Sequence, residues 1–411
     1  MAKTNSYNSG MRILKTLEYL HNLKEPERGE QCVKVQPTDL ARFLTKEFGE
    51  TVTPETVKEI LNAVIDSDTG YLLQETKSRG GHTQYWYRRT FTLEQISLLS
   101  SIIASSMFLN EAEINDLLER LKTLTSDDNA DELSKSEHFL RPRMMNTDAL
   151  NNLRKIHEAI NTRQALRFLP GQMDIEKHLY YDRPIRGKKS KVQRVTLTEN
   201  GSKIEEIDNP TPDRDAWIIC FPYALAWDNS RCYLICGIMD MRSVYDYSVT
   251  DAKKDTVRLW NFRVDRMFHL DIYSRAGYRV PLSTPYYTPD ASKDQNTPIS
   301  ELFLAEQYLH SVFKMFTSSH IVPVTLRFKH RLTRVIVEKF GFDVDIIPED
   351  EQFAHTTVKV QVSQQFYGWL AGFHADDLCM ISPETEITSY INYLNESINH
   401  YSQVRKEIGN N

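Results

Sequence analysis

Phe221-Pro222-Tyr223-Ala224-Leu225, then Arg231-Cys232-Tyr233-Leu234-Ile235-Cys236-Gly237, then Phe262-Arg263-Val264-Asp265-Arg266-Met267: the reading of this chain turns on these three runs. They are short and apolar, and polar turns separate them, as successive strands are separated. The pattern predicts strands over Trp217–Ala226, Cys232–Met239 and Trp260–Arg263, with earlier ones at Ala165–Leu169 and Val192–Thr198. Polar stretches at 171–190 and 200–215 read as insertions. Several short strands with long connections predict a small β-barrel, entered through a helix over Thr147–Ile160.

Upstream, Ile13, Leu14, Leu17 and Leu20 recur at helical spacing. A second helix is predicted from Thr38 to Phe48 and a third from Thr53-Pro54, where Thr caps free N–H groups and Pro suits the first helical position. Val57, Ile60, Leu61 and Val64 form its buried stripe. Tyr71-Leu72-Leu73, a basic Gly-Gly turn and the aromatic run Thr83–Arg88 predict a hairpin. Residues 92–124 read as helical and 125–146 as a linker. Downstream, 273–298 read as a connection and Ile299–Phe316 as a helix. Val322–Phe328, Leu332–Lys339, Phe342–Ile347, Thr356–Val362, Gln365–Phe373 and Asp377–Ile381 then follow the βαββαβ order of a ferredoxin-like domain. Ile387, Tyr390, Ile391, Leu394 and Ile398 stripe a final helix.

The 411 residues are 40% hydrophobic and 26% charged, ordinary for globular domains, and the net charge of −6 argues against coating nucleic acid through bulk charge. Cys32, Cys220, Cys232, Cys236 and Cys379 form no CxxC pair, no His cluster has zinc-ligand spacing, and no cofactor motif is present. No Walker loop, GxSxG or HExxH occurs, so no catalytic residue is assigned and a non-enzyme is expected. The start lacks a signal-peptide pattern and no apolar run reaches ~20 residues, so a cytoplasmic protein without membrane contact is expected.

The three runs, in order and with these flanks, resemble the WYL-domain transcriptional regulators of bacteria. Cys232 is the departure, standing where the family has Trp. Val324–Phe328, Phe340-Gly341, Trp369 and Pro383 resemble the family's C-terminal WCX extension. The resemblance implies an α+β multidomain chain: a winged helix-turn-helix (1–91), a helical linker and dimerisation region (92–146), a WYL domain with an Sm-like barrel (147–275), a connector (276–320) and a ferredoxin-like WCX domain (321–411).

It also implies roles. The third helix would enter the major groove, with Thr51, Thr53, Thr56 and Lys58 near DNA; Glu55, Glu59 and Asn62 share that outward face. Lys77, Arg79 and His82 would form a wing tip contacting phosphate, with Arg88 and Arg89 following. Tyr233, Arg263 and Arg266 would bind an anionic effector, with Arg258 and Arg231 adding charge. Arg263 and Arg266 are three apart, so on an extended strand they face opposite sides unless the strand bends or ends there. The alternative role for these arginines is pairing with Asp265, Asp228 or Asp271. Cys232 reads as a core residue, with a reactive thiol as the alternative. Arg183, Arg186, Lys188, Lys189, Lys191 and Arg194 read either as a second nucleic-acid surface or as a solvated loop. The expected function is a homodimeric regulator that binds a double-stranded operator and senses a nucleic acid or nucleotide-like anion. The alternative is an accessory protein that binds single-stranded nucleic acid or a defence-system partner.

Overall fold

The computed structural model describes residues 2–23, 32–67, 70, 72–76, 83–127, 129–131, 149–198, 201–210, 216–238, 250–251, 256–273, 284–287 and 299–409. The chain divides into two compact units, Met1–Met144 and Met145–Asn411, and mixes helices with several antiparallel sheets.

The first unit begins α1 (Ala2–His21), β1 (Cys32–Val35), α2 (Pro37–Phe48), α3 (Pro54–Asp66), β2 (Leu72–Thr76) and β3 (Thr83–Arg88). The three strands form one sheet with β3 in the middle. Leu40, Leu44, Val57 and Leu61 are fully buried between α2 and α3, with Val35, Leu72 and Tyr85 closing the core from the sheet. Gly49 ends α2 in the left-handed region (φ 66°), and its N–H returns to the Thr45 carbonyl. Glycine takes that conformation without a Cβ penalty. The strand β1 is absent from the sequence expectation because four residues are too few to show a period. The helical stretch expected over 92–124 holds two helices, α4 (Leu93–Ala104) and α5 (Glu111–Lys122). Asn110 opens α5 with a capping box, and that competing start breaks the apolar run.

The second unit starts with α6 (Ala149–Asn161). The strands are β4 (Ala165–Pro170), β5 (Gln172–Met173), β6 (Leu179–Ile185), β7 (Lys188–Thr198), β8 (Gly201–Asp208), β9 (Ile218–Asp228), β10 (Arg231–Ile238), β11 (Thr250–Asp251), β12 (Thr256–Val257), β13 (Leu259–Arg263) and β14 (Met267–Tyr273). The expected polar insertions carry strands instead, β5, β6 and β8, and these join β7, expected over Val192–Thr198, in a four-stranded meander. Their exposed faces carry charge, so little apolar alternation marks them. The main sheet runs β13-β10-β9-β4-β14, and β14 had no counterpart in the sequence reading.

The expected helix over 299–316 is also corrected. It is α7 (Ile299–Leu302), α8 (Ala305–Ser311) and a tight turn at Phe313–Phe316. Beyond it lie β15 (Ile321–Lys329), α9 (Thr333–Phe340), β16 (Ile347–Pro348), β17 (Phe353–Gln361), α10 (Gln364–Leu370), β18 (Leu378–Ser382) and α11 (Glu384–Gly409). The sheet order is β16-β17-β15-β18, all antiparallel. The strand expected at 342–347 contracts to β16, because Phe342 and Asp343 turn into solvent. Among the described residues no helix is long and apolar enough to cross a membrane.

Candidate effector cleft

β13 ends at Arg263, and Val264–Arg266 form one 3-10 turn before β14 begins. A 3-10 turn repeats every three residues, so positions i and i+3 eclipse. The bend therefore puts Arg263 and Arg266 on one side, where a straight strand would part them. The turn is fixed by three hydrogen bonds. Buried Asn152 of α6 donates to the carbonyls of Val264 (3.4 Å) and Met267 (2.9 Å). The Gly171 N–H donates to the Arg266 carbonyl at 2.7 Å. A Cβ on Gly171 would lie 2.6 Å from the Phe268 ring and 2.9 Å from that carbonyl, so only glycine admits this approach.

The two arginines then differ. Asp265 is 0% exposed, and Arg263 grips it with two bonds, Nε to Oδ1 at 3.1 Å and Nη2 to Oδ2 at 2.5 Å. Arg263 faces the cleft, yet its charge is committed. Arg266 has no carboxylate partner among the described residues, and its Nε is buried without a hydrogen bond. Burial lowers its pKa, and nearby Arg263 and Arg231 lower it further. A half-buried guanidinium with no partner is costly for folding alone. Its remedy is an anion.

The cleft encloses about 720 Å³. Tyr233, opposite Arg263 in the β10–β13 register, lines one wall, and burial raises its pKa. Phe168 and Phe262 meet edge to face at 5.3 Å, and Trp260 stacks beside Phe262 at 6.3 Å. Arg258 lies 4.7 Å over the Trp260 ring and donates to the Thr317 carbonyl at 3.3 Å. Arg231, the first residue of β10, stands outside the lining and acts on Arg266 only through its field.

The opposite wall is the turn Phe313–Phe316. Lys314 (φ 48°) and Met315 (φ 60°) both sit in the left-handed region, which costs a side-chain-bearing residue of order 1 kcal/mol or more. The strain is held by a chain of bonds. Buried Tyr308 donates to Asn261 Oδ1 at 2.8 Å, and Asn261 Nδ2 donates to the Met315 carbonyl at 2.9 Å. Lys314 and the 57% exposed Phe316 thereby join the cleft. Sequence reasoning missed both, since Lys-Met carries no signature for paired positive φ.

Cys232 is buried in the same sheet, and its thiol is pushed up to about 12 by burial and by Asp265. That fits a core residue and not a reactive thiolate. Half of the basic run is committed: Arg194 forks onto Asp182 at 2.8 and 2.9 Å, and Lys188 and Lys191 pair with Glu206.

In the first unit, Thr53 caps α3, its Oγ1 accepting from the Thr56 N–H at 3.3 Å and lying 3.2 Å from the Thr56 hydroxyl. Thr51, Glu55, Lys58 and Glu59 are exposed. Asn62 accepts from the Tyr85 hydroxyl at 3.0 Å, tying α3 to β3. Arg89 is buried and donates to the carbonyls of His21 and Leu23, so it fastens α1 and is not part of a wing surface. Lys77, Arg79 and His82 lie outside the described residues.

No family model matches the chain, and no curated protein matches it. Among solved structures it is similar to the proteasome accessory factor B/C (PafBC) of Arthrobacter aurescens, with 14% identity and a TM-score of 0.23 over 95% of this chain and 54% of that one. The chain thus spans about half the length of that protein. It is also similar to a CRISPR Cas-related protein, with 10% identity and a TM-score of 0.32 over 93% of this chain and 98% of that one. Similarity at this level fixes neither fold nor function.

Proposed function

We propose that the chain is a DNA-binding transcription regulator of the WYL type whose β domain senses a nucleotide-like or single-stranded nucleic-acid anion. The observation that carries the reading is Arg266: a half-buried guanidinium without a carboxylate partner among the described residues, facing a cleft walled by Trp260, Phe262 and Phe316. Guanidinium pairs with phosphate in two bonds, and flat rings stack bases regardless of sequence. The sheet order β14-β4-β9-β10-β13 supports an Sm-like barrel, with its first strand between the second and the fifth. The order α1-β1-α2-α3-β2-β3 supports a winged helix, and the antiparallel β16-β17-β15-β18 sheet supports a ferredoxin-like extension. Exposed Ile391, Ile398, Tyr401 and Ile408 on α11 support a homodimer.

The test is selection of a duplex from a random pool by purified protein, followed by titration with short single strands. The reading expects one enriched duplex whose binding responds to single strands, with the response lost in Arg266→Met. Failure to enrich any duplex overturns it.

One observation favours a second reading. The outward face of α3 carries Glu55 and Glu59 against Lys58 alone, and acidic side chains repel DNA phosphates. An accessory protein that binds single strands, with this helix as scaffold, would bind in the cleft and enrich no duplex.

A further inference from the structure

A second cleft of about 320 Å³ lies elsewhere on the β domain, lined from α6, β4, β6, β14 and Trp217 just before β9. Arg167 of β4 and Phe168, its neighbour, serve different clefts because successive strand residues face opposite ways. The Arg167 guanidinium sits 5.1 Å from the Trp217 ring and 5.9 Å from the Tyr273 ring. Aromatic faces hold it where a carboxylate would normally do so. Among the described residues it has no carboxylate or carbonyl partner, and its Nε is buried without a hydrogen bond.

β14 breaks register with β4 between Phe268 and Asp271. At that bulge His269 adopts φ 51°, a strained conformation for a side-chain-bearing residue, and its Nε2 lies 3.0 Å from the Tyr181 hydroxyl. Bulges re-aim side chains and gather beside functional sites. Lys155 of α6 reaches the same place, donating to the Leu270 carbonyl at 2.7 Å with Asp271 at 3.6 Å. Arg183 of β6 lines the cleft and is exposed, with no ion-pair partner among the described residues. Three basic side chains face a single carboxylate, which leaves two positive charges. A phosphomonoester dianion balances them.

We propose that this cleft is a second anion site, independent of the Arg266 cleft, that holds a terminal phosphate with the sugar or ring attached to it. Arg167 supplies a fixed planar fork, and Arg183 and Lys155 supply charge. The phosphate belongs to a free mononucleotide or to the 5′ end of a strand.

The experiment is calorimetric titration of the full chain in phosphate-free buffer with AMP, adenosine and inorganic phosphate, in the Arg266→Met background that weakens the other cleft. AMP and inorganic phosphate should bind, and adenosine should bind about tenfold more weakly or not at all, as expected when a charge-assisted hydrogen bond is missing. Arg167→Gln should weaken AMP by a similar factor. Arg183→Gln should do so as well, and because Arg183 is exposed this variant tests the site without touching the core. Competition by a single strand only when it carries a 5′-phosphate assigns the strand end; no competition assigns the free nucleotide. Equal binding of AMP and adenosine, or AMP binding unmoved by Arg183→Gln and Arg167→Gln with melting curves intact, overturns the proposal.

Discussion

Replacing Arg263 and Arg266 separately by Met separates folding from binding, although the two are three residues apart. Arg263→Met takes the two-bonded guanidinium away from the Asp265 carboxylate, which is 0% exposed, while Arg263 itself is only 13% exposed. Removing one partner of such a buried pair costs about 3–5 kcal/mol. In a unit of this size each kcal/mol lowers Tm by about 2–4 °C, so a fall on the order of 10 °C is expected. Arg266→Met breaks no ion pair among the described residues. It removes a buried unsatisfied donor and a cation whose pKa burial already depresses. Stability, and with it Tm, should therefore hold or rise, by up to about 1–3 kcal/mol of relieved desolvation. Binding should move the opposite way. A charge-assisted hydrogen bond to phosphate is worth about 1.5–3 kcal/mol, so its removal weakens affinity about ten- to a hundredfold. The assay pairs thermal melting with fluorescence anisotropy of a short labelled single strand at fixed salt. Equal destabilisation by the two substitutions, or unchanged affinity in Arg266→Met, would refute the assignment.

Lys77→Ala combined with Arg79→Ala should weaken duplex binding and reduce the slope of log affinity against log salt by about 2, roughly one for each phosphate that is no longer neutralised; a gel-shift titration across salt measures it. On α11, Ile398 is 61% and Tyr401 74% exposed, so Ile398→Glu should convert a dimer to a monomer in light scattering without lowering Tm. Lys339 donates to the carbonyls of Leu309 (3.1 Å) and Val312 (2.6 Å), and burial lowers its pKa from 10.5 to about 8. Between those values the unfolded chain holds the proton that the folded chain has released, so this group's contribution to stability rises with pH across that window. Urea midpoints from pH 7 to about pH 10 should show that rise in the wild type, and Lys339→Met should flatten it.

Much of the architecture was legible because burial imposes periods. Leu40, Leu44, Val57 and Leu61 mark two helices, and the alternation through β15, β17 and β18 marks the C-terminal sheet. What failed to show had no period to read. Outside the expected stretch Val192–Thr198 the meander β5 to β8 exposes most of its side chains, β1 is four residues long, and the turn at Lys314-Met315 adopts a conformation that its residue types disfavour. That turn is set by Tyr308 and Asn261, residues distant in sequence from one another.

The Arg263 and Arg266 positions show the same division. The sequence alone supplied the composition of the site: a tyrosine strand and an arginine-rich run ending a β segment. It also supplied the rule that residues three apart on a strand diverge. Only the tertiary structure set that rule aside, because a 3-10 turn held by Asn152 and Gly171 brings both arginines to one side. Only the structure, too, sorted their roles. Which guanidinium meets Asp265 depends on the direction of a bend a few ångströms across, and that bend is fixed by packing from α6 and β4, not by the local residues.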